Sequence, residues 1–264
     1  DYVVTEAGFG ADLGAEKFMN IKCGYGQLQP HAIVLVATIR ALRHHGGAKK
    51  DEYNTPSLER VTKGFLNLEK HIENCKHFGI TPVVAINHFP SDSAEEIEFV
   101  QQQCSTHGVK AKVAKGFELG GQGTTELAQA VCDSIESGAN QFKPLYDWSL
   151  SIEDKIIKIA TSIYGATAVE FSSKAHTQLK TIKTLGYDKL PVCMAKTEKS
   201  LSDNMELKGR PENFTVHVRE FEFAAGAGFI IPILGEIMRM PGLPTVPASE
   251  HMDIDNNGKI IGLS

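Results

Sequence analysis

The sequence predicts an α/β protein: a mainly parallel sheet with crossover helices, followed by a second α/β lobe with antiparallel content. Three observations lead there. Short apolar runs recur, notably Ala32-Ile33-Val34-Leu35-Val36-Ala37 and Val83-Val84-Ala85-Ile86. Between them lie helix-period segments, as where Val61, Phe65, Leu68, Ile72 and Cys75 fall at spacings of four, three, four and three. Strands alternating with helical patterns of about ten to fifteen residues need crossover connections, and so a parallel sheet. Late in the chain the pattern changes to alternation, as in Phe214-Thr215-Val216-His217-Val218-Arg219-Glu220.

Taken in order, Asp1-Tyr2-Val3-Val4-Thr5-Glu6-Ala7 reads as a strand already under way, with no initiator methionine. This predicts a chain cut from something longer, whose missing segments pair with that strand. A glycine-containing loop and a short helix near 15–19 follow, then a buried strand at 32–38. The helix bearing Val61 to Cys75 ends at Gly79; Pro82 opens the next strand, and Asn87-His88-Phe89-Pro90 must be a loop. A helix over 93–103, a strand at 109–113 and a helix over 124–137 complete the first part. Ligand-binding loops of such sheets lie at the carboxyl ends of the strands. Gly138, Asn140 and Pro144 break the pattern, which predicts lobes at 1–143 and 144–264.

In the second lobe Ile152, Ile156, Ile159, Ala160 and Ile163 make one helix face, and Leu179, Ile182 and Leu185 another before Gly186. Strand-like runs stand at 191–195, 214–220 and 229–233. Asp253-Ile254-Asp255-Asn256-Asn257-Gly258 opens like a calcium-binding loop, but the position that needs a bidentate glutamate is Ser264. Asn257-Gly258 between short apolar segments is instead a hairpin turn.

Composition excludes several functions. With 264 residues at 42% hydrophobic, the chain can bury a large core. Its net charge of −5, from 27 basic and 32 acidic residues, gives no electrostatic footprint for nucleic acid or an anionic membrane. No apolar run is long enough to span a bilayer and no signal segment opens the chain, so a cytosolic protein is expected. The five cysteines are odd in number, widely spaced and lack a Cys-x-x-Cys pair, which predicts buried thiols and no metal site.

One loop invites a functional reading. Gly8-Phe9-Gly10-Ala11-Asp12-Leu13-Gly14 follows a predicted strand and precedes a helix. Glycines there let backbone approach a ligand, and helix-start amides attract anions, although a tight turn needs glycine anyway. Its spacing misses the dinucleotide fingerprint, and no Gly-x-x-x-x-Gly-Lys-Ser/Thr occurs anywhere. Nor is there a Gly-x-Ser-x-Gly to accompany His44, His45, His71, His77, His88 and His107, which read as surface or supporting residues.

Longer strings carry a resemblance. Val36-Ala37-Thr38-Ile39-Arg40-Ala41-Leu42-Arg43-His44-His45-Gly46-Gly47 resembles the signature of formate–tetrahydrofolate ligases. The stretch from Thr5 through Gly14 to Phe18 is similar to the family's segment before it. Leu66-Asn67-Leu68-Glu69-Lys70-His71, Pro191-Val192-Cys193-Met194-Ala195-Lys196-Thr197 and Met240-Pro241-Gly242-Leu243-Pro244 match further on. The resemblance implies that the first lobe is the remainder of a P-loop-NTPase-like domain. The phosphate-gripping lysine would then lie upstream of Asp1, leaving no catalytic residue to name here.

The implied chemistry is ATP-dependent phosphorylation of formate, then attack of N10 of tetrahydrofolate on the formyl phosphate. Substrates are ATP with Mg2+, formate and tetrahydrofolate, with a monovalent cation as activator, in a homo-oligomer that in this family is typically a tetramer. By resemblance Gly8, Phe9 and Gly10 help form the formyl phosphate pocket, and Phe89 and Phe117 offer aromatic faces to the pterin. Phe117 stands where a relative carries tryptophan, Gly24 where the family usually has arginine, and Arg43 where it usually has lysine. The rival expectation is a non-catalytic half-chain that retains folate or partner contacts.

Overall fold

The computed structural model describes residues 2–8, 10–235, 245–256, 258 and 260–262. Residues 2–8 form neither strand nor helix, and Val3 and Val4 are exposed. The strand expected there is not seen, because no other described strand offers it a ladder of hydrogen bonds. Helix α1 (Gly14–Lys17) passes through a π turn, Phe18–Lys22, into α2 (Cys23–Gly26). Gln27 ends it with φ 49°. The short helix expected here is therefore longer, and its π turn places Asn20 inward.

Strand β1 (Val34–Ala37) buries Leu35 and Ala37 while Val34 and Val36 are 42% and 64% exposed. That corrects the expectation of a buried strand at 32–38: the strand is shorter, at the edge of its sheet, and one face has no cover among the described residues. Helix α3 (Ile39–His45) is capped by the Thr38 hydroxyl, which accepts from the Ala41 amide. Helix α4 (Leu58–His77) starts at Ser57 and buries Val61, Phe65, Leu68, Ile72 and Cys75. Each large apolar side chain so buried contributes about 2 kcal/mol.

Strand β2 (Val83–Asn87) is the buried centre of the sheet; α5 (Ala94–Thr106) opens with a Ser93/Glu96 capping box. Strand β3 (Ala111–Ala114), the one-turn α6 (Gly116–Leu119), a 3-10 turn at Gly120–Thr124 and α7 (Thr125–Glu136) follow. The three strands pair in parallel in the order β1-β2-β3, with Val34 opposite Val83 and Val84 opposite Ala111.

Residues 138–147 carry no helix or strand. Helix α8 (Ile152–Ile159) runs into a second π turn, Ala160–Tyr164, and buries the predicted isoleucines. Strand β4 (Ala168–Phe171) went unpredicted; helix α9 (Ser173–Thr184) buries Leu179 and Ile182 but stops before the exposed Leu185. Strand β5 (Thr215–Val218) pairs in parallel with β4, and β6 (Glu220–Ala224) antiparallel with β7 (Phe229–Ile233). The run at 191–195 makes single bridges, Val192 to Ile230 and Ala195 to Ile233, and not a full strand. Strands β8 (Asp253–Ile254) and β9 (Ile260–Ile261) form the expected hairpin, with Gly258 at φ 80°. Asn257, and the string from Met240 to Pro244, lie outside the described residues.

Two apolar cores result, one around Leu35, Ile39, Phe65, Ile72 and Val84, the other around Ile156, Ile163, Val192, Val216 and Ile230. Met19, Cys23 and Phe78 belong to the second core although they come early in the chain. Helix α4 is the seam between them. Asn74 donates to the Ile163 carbonyl and Asn67 to that of Gly209, each over 2.9 Å, while Arg210 pairs with Glu69 and Glu73. Cys23, Cys75 and Cys104 are buried, but Cys132 and Cys193 only partly, which corrects the expectation of five buried thiols.

Candidate functional site

The carboxyl ends of β1, β2 and β3 lie side by side, and each delivers one side chain of interest. Past β1, the Thr38 cap starts α3 and sets out Arg40. Past β2, the Phe89 amide donates to Asp92 Oδ2 over 2.9 Å, closing a turn that leaves the Phe89 ring half-buried. Past β3, α6 presents Phe117 at 83% exposure, so neither phenylalanine belongs to the core.

The loops are braced against one another. The His88 amide donates to the Ala114 carbonyl over 3.1 Å, extending the ladder beyond the strands. His88 Nδ1 lies 3.2 Å from Glu118 Oε1, a close approach without the alignment of a full hydrogen bond. Phe89 and Phe117 therefore share one edge of the sheet. The glycine run after Phe117, which looks mobile in the sequence, folds into the 3-10 turn and returns to accept the Lys115 amide at Gly123 over 2.9 Å.

Among the described residues no hydrogen bond joins Gly8 or Gly10 to Phe89 or Phe117. The Gly10 carbonyl accepts from the Leu13 and Gly14 amides over 3.0 and 2.8 Å, which starts the helix. A Cβ on Gly14 would fall 1.6 Å from the Gly8 carbonyl oxygen, so only glycine permits this crossing of backbones. Beside Gly8 itself the space is open among the described residues. Gly10 does not have a positive φ; what limits it is Asp12, whose Oδ1 would lie 2.5 Å from a Cβ there. Phe9 lies outside the described residues.

Beneath this loop is a buried polar cluster that sequence reasoning missed. Asp12 Oδ2 lies 2.6 Å from Lys196 Nζ, and the lysine also stands over the Tyr164 ring, 4.9 Å from its centroid. Burial pushes the Asp12 carboxyl up, but Lys196 and His71 outweigh it and hold it below its ordinary value. Glu16, fully buried, is pushed up to about 7 by burial; its Oε1 accepts from Asn20 over 2.8 Å and its Oε2 has no hydrogen-bond partner among the described residues. Burial lowers His71, and brings His45 down to about 4. The signal for this cluster was present in the spacing, because Asp12, Glu16 and Asn20 recur every fourth residue among apolar neighbours.

Residues 1–264, the whole chain, match the family model of formate–tetrahydrofolate ligase. The chain belongs to the formate–tetrahydrofolate ligase family. In this ligase-family chain the signature segment spans the end of β1, the Thr38 cap and α3. Its Arg43 is fully buried, paired through Nε and Nη2 with both oxygens of Glu96, and donates to the carbonyls of Tyr53 and Ser91. Burial raises Glu96, yet the hydrogen bonds from Arg43, Ser57 and Ser93 bring it down to about 2. Arginine therefore serves structure at this position. Gly24 packs on Trp148, where a Cβ would lie 2.4 Å from Cζ2, so an arginine there would require the indole to move. Among the described residues no helix is long and apolar enough to cross a membrane.

Proposed function

We propose that this chain takes part in the ATP-dependent ligation of formate to tetrahydrofolate, holding the pterin between Phe89 and Phe117 and the formyl phosphate at Gly8, Phe9 and Gly10. The reading is supported above all by the half-buried Phe89 and the exposed Phe117, which follow adjacent parallel strands and share one sheet edge. Ligands of parallel sheets bind at that edge, and flat heterocycles stack on such rings. The open space beside Gly8 supports the second assignment.

In this scheme a formate oxygen attacks the γ-phosphorus of ATP and ADP leaves. The N10 lone pair then attacks the formyl carbon, phosphate leaves with the C–O bonding pair, and the N10 proton is lost to solvent or base. The chain's part is orientation: rings that fix the pterin plane, and backbone that fixes the acyl phosphate, so that nitrogen and carbon meet in line. No Gly-x-x-x-x-Gly-Lys-Ser/Thr occurs in these 264 residues, and we assign no phosphate-gripping lysine among them. Magnesium would arrive with ATP, bound to its phosphates. We also divide the chain into lobes 1–143 and 144–264, supported by its two cores, with the π turn at Phe18–Lys22, Cys23 of α2 and Phe78 lent across to the second.

The full-length protein should convert formate, ATP and tetrahydrofolate to 10-formyltetrahydrofolate with one ADP and one phosphate per product. A folded protein that binds tetrahydrofolate but releases neither ADP nor formyl product would favour the non-catalytic reading.

A further inference from the structure

We propose that Lys196, in the second lobe, is a positioning residue for the Gly8–Gly10 loop and acts on it through the Asp12 carboxylate. The proposal rests on the assignment of that loop to formyl phosphate. The Lys196 side chain is fully buried, and its three donors are all used: Asp12 Oδ2 at 2.6 Å, the Thr197 carbonyl at 3.0 Å and the Ser200 carbonyl. With no donor to spare, it does not reach a substrate. What it fixes is Asp12.

Asp12 passes that constraint on. Asp12 is two residues from Gly10, and its second oxygen stands where a Cβ on Gly10 would come within 2.5 Å of it, so a shift of the carboxylate changes the space beside the loop backbone. The far end of the relay is equally firm. Ser200 Oγ donates to the Leu207 carbonyl over 2.5 Å and accepts the Ser202 amide over 3.0 Å, which ties down the turn that supplies the Ser200 carbonyl. The Tyr164 ring closes the remaining side of the ammonium. A path of short contacts thus runs from the 200–207 turn through Lys196 to Asp12, which stands beside Gly10.

A buried ion pair adds little net stability over an apolar pair of the same size, because desolvation offsets the attraction. Its geometry is another matter: the pair admits one arrangement of two side chains and so one placement of the loop. Misplacement of a reacting group by about 1 Å lowers turnover on the order of 100-fold.

The test uses the full-length enzyme with Lys196→Met, Asp12→Asn, both together, and Lys196→Arg. Steady-state constants are measured forward for formate and tetrahydrofolate, and in reverse for inorganic phosphate with ADP and 10-formyltetrahydrofolate. The double variant, which buries no lone charge, is expected to keep its urea midpoint and to lose about 10- to 100-fold in kcat/KM for formate and phosphate. Its tetrahydrofolate KM should stay within about twofold, and its loss should be no larger than that of the worse single variant. Lys196→Arg should fold and show the same split, because a longer planar cation cannot reproduce the three contacts. Parent-like formate and phosphate constants in the folded double variant, or in Lys196→Arg, would overturn the proposal. If Gly10→Val still lowers turnover, this relay alone is wrong; if Gly10→Val is also parent-like, the assignment of the loop falls with it.

Discussion

The guanidinium of Arg40 lies over the ring of Phe89, 5.4 Å from its centroid. Arg40 comes from the first turn of α3, after β1, and Phe89 from the loop after the neighbouring β2, so the contact braces one edge of the proposed folate crevice and covers one face of the ring. A pterin would take the other. Phe89→Ala and Phe117→Ala should each raise the tetrahydrofolate KM about fivefold, the equivalent of about 1 kcal/mol of lost stacking. Arg40→Ala should raise it about twofold to fivefold through a loosened Phe89. Phe117→Trp should lower it or leave it unchanged. Formate and ATP constants should hardly move, and steady-state assays that vary one substrate at a time will show whether they do.

Gly10→Val should lower turnover by roughly 100-fold with a smaller effect on stability. The reason is the carboxylate: the added carbon would meet Asp12 Oδ1 at 2.5 Å and push loop and ion pair apart. A turnover assay paired with thermal unfolding separates the two effects, and parent-like turnover would reduce the loop to a plain turn.

Glu16 gives the protein a pH signature. Its carboxyl is raised from 4.5 in the unfolded chain to about 7 in the folded one. The stability that comes from holding it protonated is fully present below 4.5 and is lost as pH rises through about 7. Against Glu16→Gln, which keeps an oxygen for Asn20 and cannot ionise, the parent should lose stability on the order of 3 kcal/mol across that window. Urea titrations of both proteins from acid to neutral pH measure it. A constant difference between them would show that Glu16 does not titrate there.

Arg43→Lys, which keeps the charge but not the fork, should destabilise this chain by about 1 to 3 kcal/mol. The guanidinium serves Glu96, Tyr53 and Ser91 through three of its nitrogens, and an ammonium cannot span that fork. Activity per folded molecule should be unchanged. A variant with parent stability and lowered kcat would instead place Arg43 in the chemistry.

Much of this protein was legible in its sequence, for reasons that particular segments make plain. The face from Val61 to Cys75 and the buried run from Val83 to Ile86 depend on local spacing, which the chain carries within a few turns. The exit of Phe89 and Phe117 at the carboxyl ends of strands followed from the same pattern, and the long ordered strings fixed the family. Tertiary structure alone decided the rest. Periodicity cannot say whether an apolar run has a partner, so residues 2–7 made no strand, 191–195 made only bridges, and β4 and β6 went unseen. Nor can it say which charges meet. Asp12 and Lys196 are ordinary polar residues in the sequence, and they become a buried ion pair only because packing between the two cores removes water from both and leaves each as the other's nearest opposite charge.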